Sequence, residues 1–136
     1  IAALKAYFET GDFPTEQNFI DLIDTLENSS TSIYKRYFAL LNQTGTAAPV
    51  ATVLENTLGG TVVWTRDAAG TYTGTLTGKF TLDKTSVQFN NSRNNTFVAG
   101  TDNGDGNTVS IATGQELGVN TDNNMYNNTI EIRVYP

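Results

Sequence analysis

The sequence predicts a mainly β (α+β) protein: a short N-terminal helical arm followed by an antiparallel β-sandwich or jelly-roll-like head. Three observations lead there. From Thr71 to Asp83 the chain alternates without a fault, with Tyr72, Gly74, Leu76, Gly78, Phe80 and Leu82 on one side and mainly threonine on the other. A side-chain period of two means extended backbone with a dry face and a wet face. About eight short apolar runs recur at intervals of roughly ten residues, separated by Gly, Asn and Asp, the rhythm of a small sandwich. Thr (22) and Asn (15) are over-represented among the 136 residues, which suits strands joined by turns.

Taken in order, Ala2 to Phe8 is rich in helix formers and Gly11-Asp12 stops it. A second helix starts at Thr15, an N-cap after Pro14, with Glu16 in its first turn. Its apolar residues Phe19, Leu22, Ile23 and Leu26 make one stripe, widened by Ile20, and Asp21, Asp24 and Glu27 lie on the other face. A helix of about a dozen residues is marginal alone, so it is expected to dock on something. Residues 34–43 allow helix or strand; the aromatics and the loop Thr44–Pro49 favour strand. Strands are expected over Ala51–Leu58 and Thr61–Arg66, with a hairpin-like turn at Asp67–Gly70. The long alternation follows, with Gly78 as an expected bulge or break, and its phase changes at Asp83–Ser86. Val87 and Phe89, Phe97-Val98, Thr108–Thr113 and Ile130–Val134 complete the strands. Loops are expected at 90–95, 100–107 and 120–128.

Composition narrows the chemistry. There is no Cys and no His, which removes disulfides, thiolate metal sites and the commonest general base. The net charge of −6 argues against a nucleic-acid partner. No apolar run is long enough to insert in a membrane, and no segment has the pattern of a signal peptide. The chain begins at Ile1, which fits a trimmed start. Charge is uneven: residues 1–33 hold Lys5 against six acidic residues, and the remainder is nearly neutral. The expected boundary therefore separates an arm, 1–33, from a head, 34–136.

Asp102-Asn103-Gly104-Asp105-Gly106-Asn107 resembles a calcium loop only superficially, because glycines occupy the third and fifth positions where oxygen ligands belong. A different calcium site near Asp102 and Asp105, helped by Asp122, is the alternative to a plain hairpin loop, and the hairpin reading outweighs it. Trp64, Tyr72, Phe80, Phe89 and Phe97 are expected in the core. Glu55, Asp67, Asp83, Glu116 and Glu131 are available to a glycosidase, but nothing in the sequence pairs them. No catalytic residue and no cofactor is expected.

Gly11-Asp12-Phe13-Pro14-Thr15-Glu16-Gln17-Asn18-Phe19-Ile20-Asp21-Leu22-Ile23-Asp24 resembles an element near the start of fibre-like and appendage proteins of Bacteroidetes phages and prophages. Tyr34 to Gly59, Thr61–Arg66, Gly70–Gly74 and the ending Ile130–Pro136 are similar to a short β-domain in the same setting. The stretch 90–128 is the least matched. The resemblance implies a non-enzymatic virion structural part on the outer surface: a head fibre, capsid decoration or tail-fibre component. It implies a homo-oligomer, a trimer, gripping a capsid or tail protein through the arm. The expected attachment or oligomer seam is Phe19, Leu22, Ile23 and Leu26. The alternative is a carbohydrate- or host-receptor-binding module, whose expected contacts to a host surface glycan are Asn94, Asn95, Asp102, Asn103, Asp105, Asn123 and Asn124.

Overall fold

The computed structural model describes residues 13–29, 33–90, 96–115 and 119–136. The chain forms two compact units, Ile1–Ser32 and Ile33–Pro136. The expected helix at Ala2–Phe8, and the candidate contacts Asn94 and Asn95, lie outside the described residues.

In the first unit, helix α1 spans Glu16–Ser29. Thr15 caps it: the Thr15 hydroxyl accepts from the Asn18 N–H at 3.3 Å, and Asn18 Oδ1 accepts from the Thr15 N–H at 2.9 Å. The Asn18 N–H is shared with the Thr15 carbonyl at 3.1 Å, so the reciprocal bonds tie the first turn together from both sides. Phe19, Ile23 and Leu26 are each more than half exposed, and Leu22 is partly buried.

The second unit is a β-sandwich of two four-stranded antiparallel sheets. Its strands are β1 (Lys35–Asn42), β2 (Val50–Asn56), β3 (Val63–Ala68), β4 (Thr71–Thr75), β5 (Thr85–Asn90), β6 (Thr96–Asp102), β7 (Thr108–Gln115) and β8 (Asn128–Val134). One sheet has the order β2-β1-β8-β5 and the other β3-β4-β7-β6. Alternation makes each strand two-faced. Tyr37, Ala39 and Leu41 of β1 and Ile130, Ile132 and Val134 of β8 point into the core. They meet Trp64, Tyr72, Val109 and Ile111 of the other sheet. Leu58, Val62, Phe80 and Met125 close the core from the connections. Trp64 Nε1 donates to the Tyr37 hydroxyl at 3.3 Å, so both buried polar tips are satisfied across the layers. Gly74 lies directly beneath the Trp64 ring, and a Cβ there would fall 2.9 Å from it.

Of the expected core aromatics, Trp64, Tyr72, Phe80 and Phe89 are buried, and the Phe97 side chain lies outside the described residues. Two expectations need correction. The alternation from Thr71 to Asp83 breaks at Gly78 as expected, with φ +67°, but no second strand follows it before β5, and β4 itself ends at Thr75. Beyond that point Leu76 and Phe80 donate their N–H groups to the carbonyls of Asn107 and Gly106, outside any ladder. Phe80 stays buried, but Leu82 is 56 % exposed, so the dry face does not run through it. The second correction concerns β6. It runs through Gly100, Thr101 and Asp102, which the polar composition assigns to a loop; pairing with β7 carries them as strand.

Candidate functional site

The polar side chains of the head gather around the segment 119–127, which leads from β7 into β8. Asn120 bridges to Gly114. Thr121 donates its N–H to the Thr113 carbonyl at 2.9 Å, and the Thr113 hydroxyl donates to the Thr121 carbonyl at 2.8 Å. Asp122 reaches across to the β3–β4 hairpin. It accepts from Arg66 Nη2 at 2.7 Å, from Arg66 Nε at 3.1 Å, from the Gly70 N–H at 3.0 Å and from the Tyr72 hydroxyl at 2.9 Å. Three residues later Met125 is buried, and its carbonyl accepts from the Gln43 N–H. Asn127 exchanges hydrogen bonds with Asn42 of β1. The segment is thus fastened to both sheets.

Gln43, just past β1, is 5 % exposed and is the hub on that side. Its amide nitrogen donates to the carbonyls of Gly45 (2.6 Å) and Ala47 (3.1 Å), and its amide oxygen accepts from the Asn123 N–H at 2.7 Å. These partners fix which end is oxygen. Replacing Gln43 by Met leaves two carbonyls and one N–H without partners, at a cost of about 2–3 kcal/mol. Chemical denaturation checks that cost, and amide exchange at Asn123 is expected to speed up in the same variant.

Of the candidate glycan contacts, Asn123 and Asn124 fall into this network, and Asp102, Asn103 and Asp105 bond within the β6–β7 hairpin. Asn123 sits at φ +62°, and its side-chain oxygen accepts from the Gly45 N–H. Asn124 donates to the hydroxyl and the carbonyl of Thr121. In the β6–β7 hairpin, Asp102 accepts from the Gly104 N–H and Asn103 donates to the Thr108 hydroxyl. Asp105 accepts from the N–H groups of Asn107 (2.8 Å) and Thr108 (2.7 Å) and from the Thr108 hydroxyl (2.7 Å). These are the self-bonded turns of Asp and Asn loops. Asp122, suggested as a helper for calcium there, is instead engaged with Arg66, Gly70 and Tyr72. Among the described residues no three acidic, His or Cys side chains are grouped to hold a metal ion.

A second cluster lies on the outer face of β1 and β8. Arg133 grips Glu131 with two hydrogen bonds of 2.9 Å along the strand. Arg36 Nε lies 2.7 Å from the same carboxylate, but its N–H is not aimed at the oxygen, so charge holds that contact. Arg36 also pairs with Glu55 of β2 at 2.8 Å and covers the Phe38 ring at 4.7 Å. Arg133 covers Tyr34 at 5.1 Å.

The electrostatic consequence is uniform. Hydrogen bonds from Arg66 hold the Asp122 carboxyl well below the usual range; the bonds from Arg133 lower that of Glu131, and the backbone N–H of Asn107 lowers that of Asp105. Each is thereby fixed as an anion. A general acid needs the opposite shift. The Tyr72 hydroxyl, by burial and then by its bond to Asp122, is pushed up to about 12. Of the other carboxylates considered for catalysis, Asp67 accepts from Thr65 and Thr73, Asp83 forms a turn, and Glu116 lies outside the described residues.

Sequence reasoning missed Gln43, Arg66 and Tyr72 as polar partners. Only the Glu131-x-Arg133 pair carried a local signal, since residues two apart share a strand face. Comparison with protein families, with curated proteins and with solved structures finds no match to this chain.

Proposed function

We propose that this chain is a non-enzymatic structural protein of a phage particle, a head fibre, capsid decoration or tail-fibre component. It attaches through its N-terminal helices and displays the β-sandwich on the outer surface as a homo-oligomer. The observation that carries the reading is how the polar side chains are used. Asp122, Gln43 and Asn123 hold loops and strands to one another, Glu131 meets Arg36 across β1 and β8, and Asp105 closes its own turn. A head so fastened keeps its shape under mechanical load, which a displayed part needs and an acid–base site does not. The resemblance of the segment Gly11–Asp24 and of the β-domain to phage appendage proteins supports the virion setting. The capped helix α1, with its apolar stripe and acidic opposite face, supports attachment by the arm.

Antibody raised against residues 34–136 is expected to label intact particles of the encoding phage in negative-stain micrographs. Particles that contain the chain by mass spectrometry yet stay unlabelled would overturn surface display. A purified chain that cleaves host surface polysaccharide would overturn the non-enzymatic reading. Glycan binding abolished by Asn103→Ala, with the fold intact, would favour the receptor-binding alternative.

A further inference from the structure

Four strands form sheet edges in the head, and they are not equivalent. β5 and β6 lie against each other, which closes one side of the sandwich. The other side is bounded by β2 and β3. Edge strands present unpaired N–H and C=O groups, and proteins protect them with charge, proline or bulges. Both of these edges carry a bulge, at Leu54 in β2 and between Arg66 and Ala68 in β3, but β3 also carries the charges of Arg66 and Asp67. β2 carries no charge from Val50 to Leu54, and three of its apolar side chains are in solvent: Val50 at 69 %, Leu54 at 55 % and Val53 at 49 %. Its one charge, Glu55, is already paired with Arg36.

We infer that β2 is a docking edge for a second copy of this chain, added antiparallel about a two-fold axis through Thr52. The occupant follows from the strand itself. Val50 and Thr52 pair with Asn42 and Leu40, whose neighbours Leu41 and Ala39 are buried, so Val50 and Thr52 lie on the outer face and Ala51 and Val53 on the inner. A two-fold axis normal to the sheet keeps each face on its own side, so opposed residues must have the same parity. Centring on Thr52 sets Ala51 against Val53 of the second copy and Thr52 against itself, and brings Val50 to the bulged Leu54. Apolar side chains meet apolar ones, threonine meets threonine, and no like charges oppose each other. Leu54 is the extra residue of the bulge that ends regular pairing with β1, so the self-complementary stretch stops where the strand bends. The two four-stranded sheets would join into one of eight strands. An isologous contact of this kind closes at two copies, not at the three that the phage resemblance implies. It does not depend on the virion reading.

The test uses the full chain. The wild type is expected to sediment as two copies at micromolar concentration. Thr52→Lys puts two lysines directly opposite each other on an exposed position and should weaken association roughly tenfold or more. The chain has no cysteine, so Thr52→Cys should give a covalent dimer on mild oxidation, while Ser86→Cys on the far edge should not. Each variant should keep the wild-type β-sheet circular dichroism. A wild type of one or three copies overturns the inference. So does a dimer that survives Thr52→Lys and does not cross-link through Thr52→Cys, since that contact must lie elsewhere. Loss of the dimer with Thr52→Lys, together with cross-linking, supports it even if the particles lack this protein.

Discussion

Replacing Gly70 by alanine is expected to cost the head about 3–5 kcal/mol, the largest effect of any methyl group added to it. Gly70 closes the β3–β4 hairpin at φ +63°. That left-handed conformation alone costs a non-glycine residue about 1–2 kcal/mol. The larger share is steric. A Cβ at Gly70 would lie 2.3 Å from the Thr113 carbonyl oxygen and 2.4 Å from the Thr121 nitrogen, both backbone atoms. Neither can step aside. The Gly70 carbonyl accepts from the Thr113 N–H at 2.8 Å, and the Thr113 carbonyl accepts from the Thr121 N–H at 2.9 Å, so three backbones stack at this point. The control is Gly78→Ala. Gly78 has φ +67° but nothing within 4 Å of its Cβ position, so it isolates the conformational cost, about 1–2 kcal/mol. Denaturant melts of both variants check the argument. For a head of this size each kcal/mol is worth about 4 °C or more in Tm, so the two should separate clearly. Equal losses would mean that the close approach is not real.

The second large effect is expected at Asp122. Asp122→Asn removes the anion that Arg66, the Gly70 N–H and the Tyr72 hydroxyl all address, and about 2–4 kcal/mol should be lost at neutral pH. The difference between wild type and variant should itself depend on pH. The folded carboxyl is held well below its usual range, chiefly by Arg66. A depressed folded pKa gives stability that is fully present above the unfolded carboxylate value, about 4, and is lost as pH falls from there through the folded value. The wild-type advantage should therefore be constant above about pH 5 and shrink steadily below pH 4. At the other end, Tyr72 ionises at about 12 in the fold and at about 10 unfolded. Its raised pKa gives stability that is full below about pH 10 and lost between there and about pH 12. Tyr72→Phe should flatten part of that alkaline decline; Tyr37, also raised by burial, contributes in the same direction. Urea melts from about pH 2 to about pH 12 measure both limbs. A wild-type advantage over Asp122→Asn that does not change with pH would show that charge is not what this contact supplies.

Much of the scaffold was legible before any coordinates. Ile130, Ile132 and Val134 alternate with Thr129, Glu131 and Arg133, and β8 buries the first set as that pattern demands. Val62 and Trp64 share parity and are buried, while Val63 between them is 57 % exposed. The phase change at Asp83–Ser86 is a turn, with Asp83 at φ +59°. Where the reading failed, the periodicity was real but the ladder was missing. Leu76 and Phe80 keep the spacing of a strand yet bond to the β6–β7 connection, because Gly78 bends the chain before a neighbour can pair with it. The polar network was less legible. Asp122 and Arg66 are 56 residues apart, and Gln43 and Asn123 are 80 apart. Their composition looked like loop surface, because asparagine-rich sequence is the same whether its amides face water or fasten the loop down.

By itself the sequence determined the class of this protein and the two-faced character of its strands, since a period of two sorts side chains to opposite sides with no knowledge of the partner strand. It also determined the cap of the arm helix, because Thr15 and Asn18 act on backbone three residues away. Only the tertiary structure decided which strands lie next to each other, and so which remain as edges. Strand order depends on long-range pairing between segments that carry no mark of their neighbours. That order leaves Val50–Leu54 in solvent on β2 and brings Asp122 to Arg66, and both the docking edge and the latch of the head follow from it.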